Sequence, residues 1–68
     1  MKYTVEKDED GRWCFTSISK KFSIIQRKCD GWYLPYVENP NDPTEYTWTE
    51  DYCRTLDECE ISMMNYHF

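Results

Sequence analysis

One segment, 55–67, has the apolar spacing of an amphipathic α-helix, and it constrains the fold more than any other part of the chain. At 100° per residue its apolar side chains fall on a single stripe, as a helix with one buried face requires. That stripe consists of Leu56, Cys59, Met63 and Tyr66. Because the residues before this segment alternate in the manner of β-strands, the sequence predicts a helix that packs across a sheet.

The start of this helix is marked by Thr55, which is followed three residues later by Glu58. A threonine and a glutamate at this spacing form a capping box, in which each side chain accepts a hydrogen bond from the backbone N–H of the other residue. Asp57 and Glu58 in the first turn and His67 in the last turn also suit the helix dipole. The sequence therefore predicts a helix from Thr55 to His67.

The strands are predicted from alternation and from β-forming residues. They cover 2–7, 12–19, 22–29, 32–37 and 46–49. Gly11 and Gly31 each follow an aspartate, and Asp-Gly is a strong hairpin-turn signal because both positions tolerate positive φ. Pro35 has no N–H and predicts an edge strand or a strand end, while the two prolines and two asparagines of 38–44 predict a loop.

These elements predict one domain, 1–68, of the α+β class: an antiparallel β-meander of four to five strands with one C-terminal helix packed on one face. Apolar side chains occupy both faces of the predicted strands, with Trp13 and Phe15 on one side and Cys14 and Ile18 on the other. One helix covers one face only. The second face is expected to meet a loop, a second copy of the chain or a partner.

No catalytic, metal or cofactor site is expected from the sequence. Four cysteines contain no C-x-x-C pair, and the only histidine, His67, lies where a helix frays. The N-terminus has no apolar signal segment, so we expect a soluble, cytoplasmic protein with four free thiols. The glycines occur only in the two Asp-Gly turns, which leaves no phosphate-binding loop.

Charge is distributed unevenly along the chain. Residues 1–37 carry a net charge of +2 and residues 38–68 a net charge of −7, which together give −5. Such an acidic surface either keeps a small protein soluble or competes for a basic site on a partner, where carboxylates stand in place of phosphates and rings in place of bases. The predicted partner-binding residues are Glu45, Tyr46, Trp48, Glu50, Asp51, Asp57 and Glu58.

Two alternatives use the aromatic residues differently. In the first, the chain is a small interaction or structural module, homodimeric through an aromatic sheet face. In the second, single-stranded nucleic acid stacks on strand aromatics between basic side chains, although a pI of about 4.6 opposes this. The residues concerned are Arg12, Lys20, Lys21, Arg27 and Lys28, with Trp13, Phe15, Phe22, Trp32 and Tyr33.

In size, acidity, aromatic content and meander-plus-helix outline, the whole chain resembles the small acidic anti-CRISPR and anti-restriction inhibitors of phages and mobile elements. The resemblance implies a stoichiometric, non-enzymatic binder, acting in a bacterial host's cytoplasm, that blocks the nucleic-acid site of a CRISPR effector or a restriction complex. Many DNA mimics of this kind are acidic throughout. The basic first half of this chain instead favours an acidic patch on one side.

Overall fold

The computed structural model describes residues 1–67, one residue short of the predicted domain 1–68. Its elements are β1 (Tyr3–Lys7), β2 (Trp13–Ser17), β3 (Phe22–Gln26), β4 (Tyr33–Asn39), β5 (Asp42–Trp48) and α1 (Leu56–Met64). The five strands form one antiparallel sheet in chain order, and α1 packs against β4 and β3. The predicted α+β meander with one C-terminal helix is confirmed.

Both Asp-Gly turns form where the sequence predicts them. Gly11 and Gly31 have φ of 77° and 75°, a left-handed conformation that is strained for residues with a Cβ. The carboxylate of Asp30 accepts a hydrogen bond from the Trp32 N–H at 3.0 Å. This turn begins earlier than predicted, so β3 ends at Gln26 instead of continuing to residue 29.

The predicted loop at 38–44 is wrong. β4 continues to Asn39 and β5 starts at Asp42, so the connection is a tight hairpin at Pro40 and Asn41. The side chain of Asn39 accepts a hydrogen bond from the Asn41 N–H at 2.9 Å, and a register shift lies between Glu38 and Asn39. The turn-forming residues are therefore concentrated in the hairpin tip and the bulge, and 46–49 belongs to a longer strand that ends at Trp48.

Pro35 also differs from its prediction, since it is buried in the middle of β4, a central strand. Its nitrogen faces the β5 side, because Tyr33, two residues earlier, exchanges both backbone hydrogen bonds with Cys53 on that side. β5 has already ended there, and the Pro35 carbonyl accepts a hydrogen bond from the Thr49 N–H at 3.0 Å. Proline has no backbone N–H to donate, but at this position no residue of a neighbouring strand needs that hydrogen bond.

The helix begins as predicted but ends earlier. Thr55 is the N-cap, and its hydroxyl accepts a hydrogen bond from the Glu58 N–H at 3.2 Å. The Glu58 carboxylate accepts from the Arg54 N–H at 2.9 Å rather than from Thr55, so the capping box is displaced by one residue. α1 ends at Met64 with Asn65 as C-cap, which places His67 beyond the last turn.

The core lies between the sheet and α1. Its buried apolar residues are Ile24, Val37, Cys53, Cys59 and Met63. Of the predicted helix stripe, Cys59 and Met63 are buried, whereas Leu56 and Tyr66 are half-buried and pack against the core from its margin. Most of the apolar contact in this small protein therefore comes from one helix face and two central strands.

Candidate functional site

The sheet face opposite α1 carries a continuous set of apolar and aromatic side chains. Strand register places Cys14 beside Ile25 and Ile25 beside Leu34, while Tyr36 lies opposite Trp48. Side chains alternate between faces, so these residues point away from buried Ile24 and Val37. None is fully buried. We call this surface the open face; it comprises Cys14, Ile25, Leu34, Tyr36, Tyr46 and Trp48 with the adjoining Tyr52.

Hydrogen bonds and ring contacts hold the aromatic side chains of the open face in place. The ring centroids of Trp48 and Tyr52 lie 5.2 Å apart in an edge-to-face arrangement. The indole N–H of Trp48 donates to the backbone carbonyl of Asp51 at 3.2 Å, and the Tyr46 hydroxyl donates to that of Lys20 at 2.7 Å. Rings that are already ordered lose little conformational freedom when a partner binds.

Two arginines stack on rings at one end of the open face. The Arg27 guanidinium lies 4.6 Å from the ring centroid of Tyr52, and that of Arg54 lies 5.0 Å from Trp32. Arg27 also pairs with Asp30, and the hydrogen bond from its guanidinium lowers the pKa of that carboxyl group. This cation is therefore partly neutralised before any partner arrives.

The seven predicted partner-binding residues do not form one surface. Tyr46 and Trp48 point to the open face, whereas Glu45 alternates to the other side of the edge strand β5. Glu50 is exposed in the turn after β5, at a φ of 69°. The Asp51 carboxylate turns toward α1 and accepts a hydrogen bond from the Ser62 hydroxyl.

Asp57 and Glu58 lie in the first turn of α1, on the helix side of the sheet. Both are exposed, and the Glu58 carboxylate is engaged at the helix start. The structure therefore places Tyr46 and Trp48 on the open face, whereas Glu45 and the Asp51 carboxylate point away from it and the helix pair lies on the other side of the sheet.

Among the residues that sequence reasoning did not assign to a binding surface are Tyr36 and Tyr52 of the open face and the neighbouring Glu38. Glu38 lies opposite Tyr46, but it was assigned to the loop that proved to be a hairpin. Tyr36 alternates with Pro35 and Val37, a signal that was available in the sequence. Tyr52 reaches the open face only because the chain after β5 returns to the sheet at Cys53, which pairs with Tyr33.

The aromatic residues that were expected to stack with single-stranded nucleic acid lie in different parts of the structure. Phe15, Phe22 and Tyr33 pack against the core on the helix side of the sheet. Trp13 lies on that same side, opposite Lys7, while Trp32 stacks with Arg54. These rings and the basic side chains do not form one stacking platform.

All four cysteines are free thiols, and two of them, Cys53 and Cys59, are neighbours in the core. Burial, together with the hydrogen bond to Cys53, raises the pKa of Cys59. Burial likewise raises the pKa of Cys14. A neutral thiol is a poor nucleophile and a poor metal ligand, so Cys14 and Cys59 act as small apolar groups.

Comparison with known protein families, curated protein sequences and solved structures finds no match to this chain. Within residues 1–67, no helix has the length and apolar character needed to cross a membrane. The same residues contain no group of three or more side chains suited to hold a metal ion.

Proposed function

We propose that this protein is a stoichiometric, non-enzymatic inhibitor that binds through the open face and the adjoining β5 edge to a basic, nucleic-acid-binding surface of another protein. One observation supports this most directly: the rings of Tyr36, Tyr46 and Trp48 lie together on the open face, with carboxylates close by on β4, on β5 and in the turn after β5. Those carboxylates belong to half-buried Glu38, which lies opposite Tyr46, and to exposed Glu45 and Glu50, of which Glu45 points to the other side of the edge strand.

Rings and carboxylates make different contributions to such binding. Tyrosine and tryptophan bury a large area at a low cost in rotamer entropy, and they are enriched among residues that dominate binding energy. Carboxylates near a basic groove raise the association rate and select the partner by charge. Asp57 and Glu58, on the far side of the sheet, add to the long-range field without touching the partner.

The partner class follows from the charge of this surface. Double-stranded DNA carries one negative charge per about 1.7 Å of axis, and proteins that bind it offer lysine and arginine along a groove. A CRISPR effector or a restriction complex in the cytoplasm of a bacterial host provides such a groove. The protein would then be a phage or mobile-element product that evades host defence, as its general resemblance implies.

The test is displacement of DNA from the partner. A tagged copy captures its complex from a bacterial lysate, and fluorescence anisotropy of labelled duplex DNA on that complex is followed as untagged protein is added. We expect displacement with one-to-one stoichiometry and an affinity that falls as salt rises. If DNA and the protein bind the captured complex together, the proposal is wrong; a salt-independent affinity would indicate an apolar interface instead.

A further inference from the structure

The two edges of the sheet are protected to different degrees. β5, at one edge, contains Pro43 and pairs with β4 across a register shift, two features that discourage pairing with another strand. β1, at the other edge, is a regular strand of five residues without proline or glycine. An edge of this kind is a template for a further strand.

Alternate residues of β1 present their backbone groups to solvent. The N–H of Asp8, directly after the strand, donates to the Arg12 carbonyl on the β2 side at 2.9 Å, and residues two apart face the same way. Even-numbered residues of this strand therefore bond to β2. The outward N–H and C=O groups belong to Tyr3, Val5 and Lys7.

Apolar side chains accompany this unpaired edge. Val5 is 50% exposed and Trp13, on the same face of the neighbouring strand, is 44% exposed. Both lie on the helix side of the sheet, but α1 packs mainly on β3 and β4 and leaves both side chains exposed. The unpaired backbone groups of β1 and the exposed apolar side chains therefore lie at the same edge of the sheet.

We propose that two copies of this chain associate through β1, paired antiparallel about a two-fold axis at Val5, so that one sheet runs through both copies. This register places Val5 opposite the partner's Val5 and Tyr3 opposite the partner's Lys7. It forms about six backbone hydrogen bonds between the outward groups. On the other face, Thr4 meets the partner's Glu6, and no like charges lie directly opposite each other.

The size of the core gives such an association a physical reason. Few apolar side chains are buried among residues 1–67, and a chain of this length buries about 60% of its unfolded surface, so small domains of this kind commonly gain stability by oligomerisation. The edge proposed for self-association is separate from the open face. The dimer and the proposed inhibitor function therefore concern separate surfaces, and each can be tested without the other.

Sedimentation equilibrium over a range of protein concentrations tests the dimer. Val5→Lys and Val5→Asp each place like charges on the two-fold axis, and each is expected to raise the dissociation constant about tenfold or more. An equimolar mixture of the two variants is expected to restore association, since lysine then faces aspartate. Thr4→Lys is the matched control, because its added charge would face the partner's Glu6 and leave the dimer intact.

Amide hydrogen exchange of the wild-type protein gives an answer that needs no variant. We expect the N–H groups of Tyr3, Val5 and Lys7 to become protected as the protein concentration rises. A wild-type chain that stays monomeric at all concentrations, with these amides exchanging freely, would overturn the proposal. So would a dimer that both Val5 variants leave unchanged.

Discussion

At the scale of single residues, the start of α1 depends on Thr55, whose hydroxyl accepts the Glu58 N–H. Thr55→Ala leaves that N–H without a partner, and we expect a loss of about 0.5–2 kcal/mol in the free energy of unfolding. Thr4→Ala is a suitable control, because Thr4 is exposed on the edge strand β1. Urea unfolding of both variants measures the difference, and equal losses would contradict the capping role.

A second residue-scale contact joins β1 to the helix. The Tyr3 hydroxyl donates to the Glu60 carboxylate at 2.7 Å, and this hydrogen bond lowers the pKa of Glu60 below its ordinary value. A carboxyl group with a lowered folded pKa stabilises the fold above its unfolded pKa and loses that contribution as the pH falls through the folded value. The stabilisation is therefore present at pH 7 and lost in acid.

Tyr3→Phe is expected to lower the free energy of unfolding by about 0.5–1.5 kcal/mol at pH 7. The difference from wild type is expected to shrink in acid, as the pH falls through the lowered pKa of Glu60 and its carboxylate becomes protonated. Tyr52→Phe is the matched control, because the described structure gives the Tyr52 hydroxyl no hydrogen-bond partner. A Tyr3→Phe effect that stays constant from pH 7 to pH 2 would show that the ionised carboxylate is not involved.

At the scale of elements, substitutions in α1 test whether the core lies between this helix and the sheet. Met63 is 2% exposed and its neighbour Met64 is 72% exposed, so the two differ in burial but not in chemistry. Met63→Ala is expected to cost about 2–5 kcal/mol, and Met64→Ala less than about 0.5 kcal/mol. Similar losses for both variants in urea unfolding would mean that the helix packs on a different face.

The elements also show how far local patterns determine the fold. Asp-Gly turns and the Thr55 cap depend on neighbouring residues alone, so the sequence predicts them well. Pro35 could not be placed in this way, because a proline is tolerated in a central strand only where the adjacent strand has ended. The hairpin at Pro40 and Asn41 was missed because its turn residues spread into the bulge.

At the scale of the whole molecule, the candidate site was predicted in part. Tyr46 and Trp48 were identified from one alternating segment, and they do lie on the uncovered face. Asp57 and Glu58 were predicted to belong to the same surface as Tyr46 and Trp48, on the assumption that acidic residues close in sequence are also close in space. The sheet separates the two sets, and only the packing of α1 against β4 determines that.

The structure also determines which carboxylates can be changed without disturbing the fold. Asp8 accepts hydrogen bonds from the Arg12 backbone and guanidinium, and Asp51 accepts one from Ser62, so both support local structure. Glu45 and Glu50 are exposed on the β5 side. Glu9 and Asp10 are exposed at the first hairpin tip, where Asp10 makes an ion pair with Arg12 at 3.5 Å that is too exposed to contribute much stability. Replacing either pair by lysine changes the net charge by the same amount, but at two different places on the surface.

The most direct test of the proposed function is therefore the affinity of these paired variants for the captured partner at two salt concentrations. Glu45→Lys with Glu50→Lys is expected to weaken binding by about tenfold or more, mostly at low salt, because it reverses charge beside the docking rings. Glu9→Lys with Asp10→Lys is expected to change the association rate alone. Circular dichroism first confirms that both variants fold. Equal affinities for the two variants, at both salt concentrations, would contradict binding through the open face and the β5 edge.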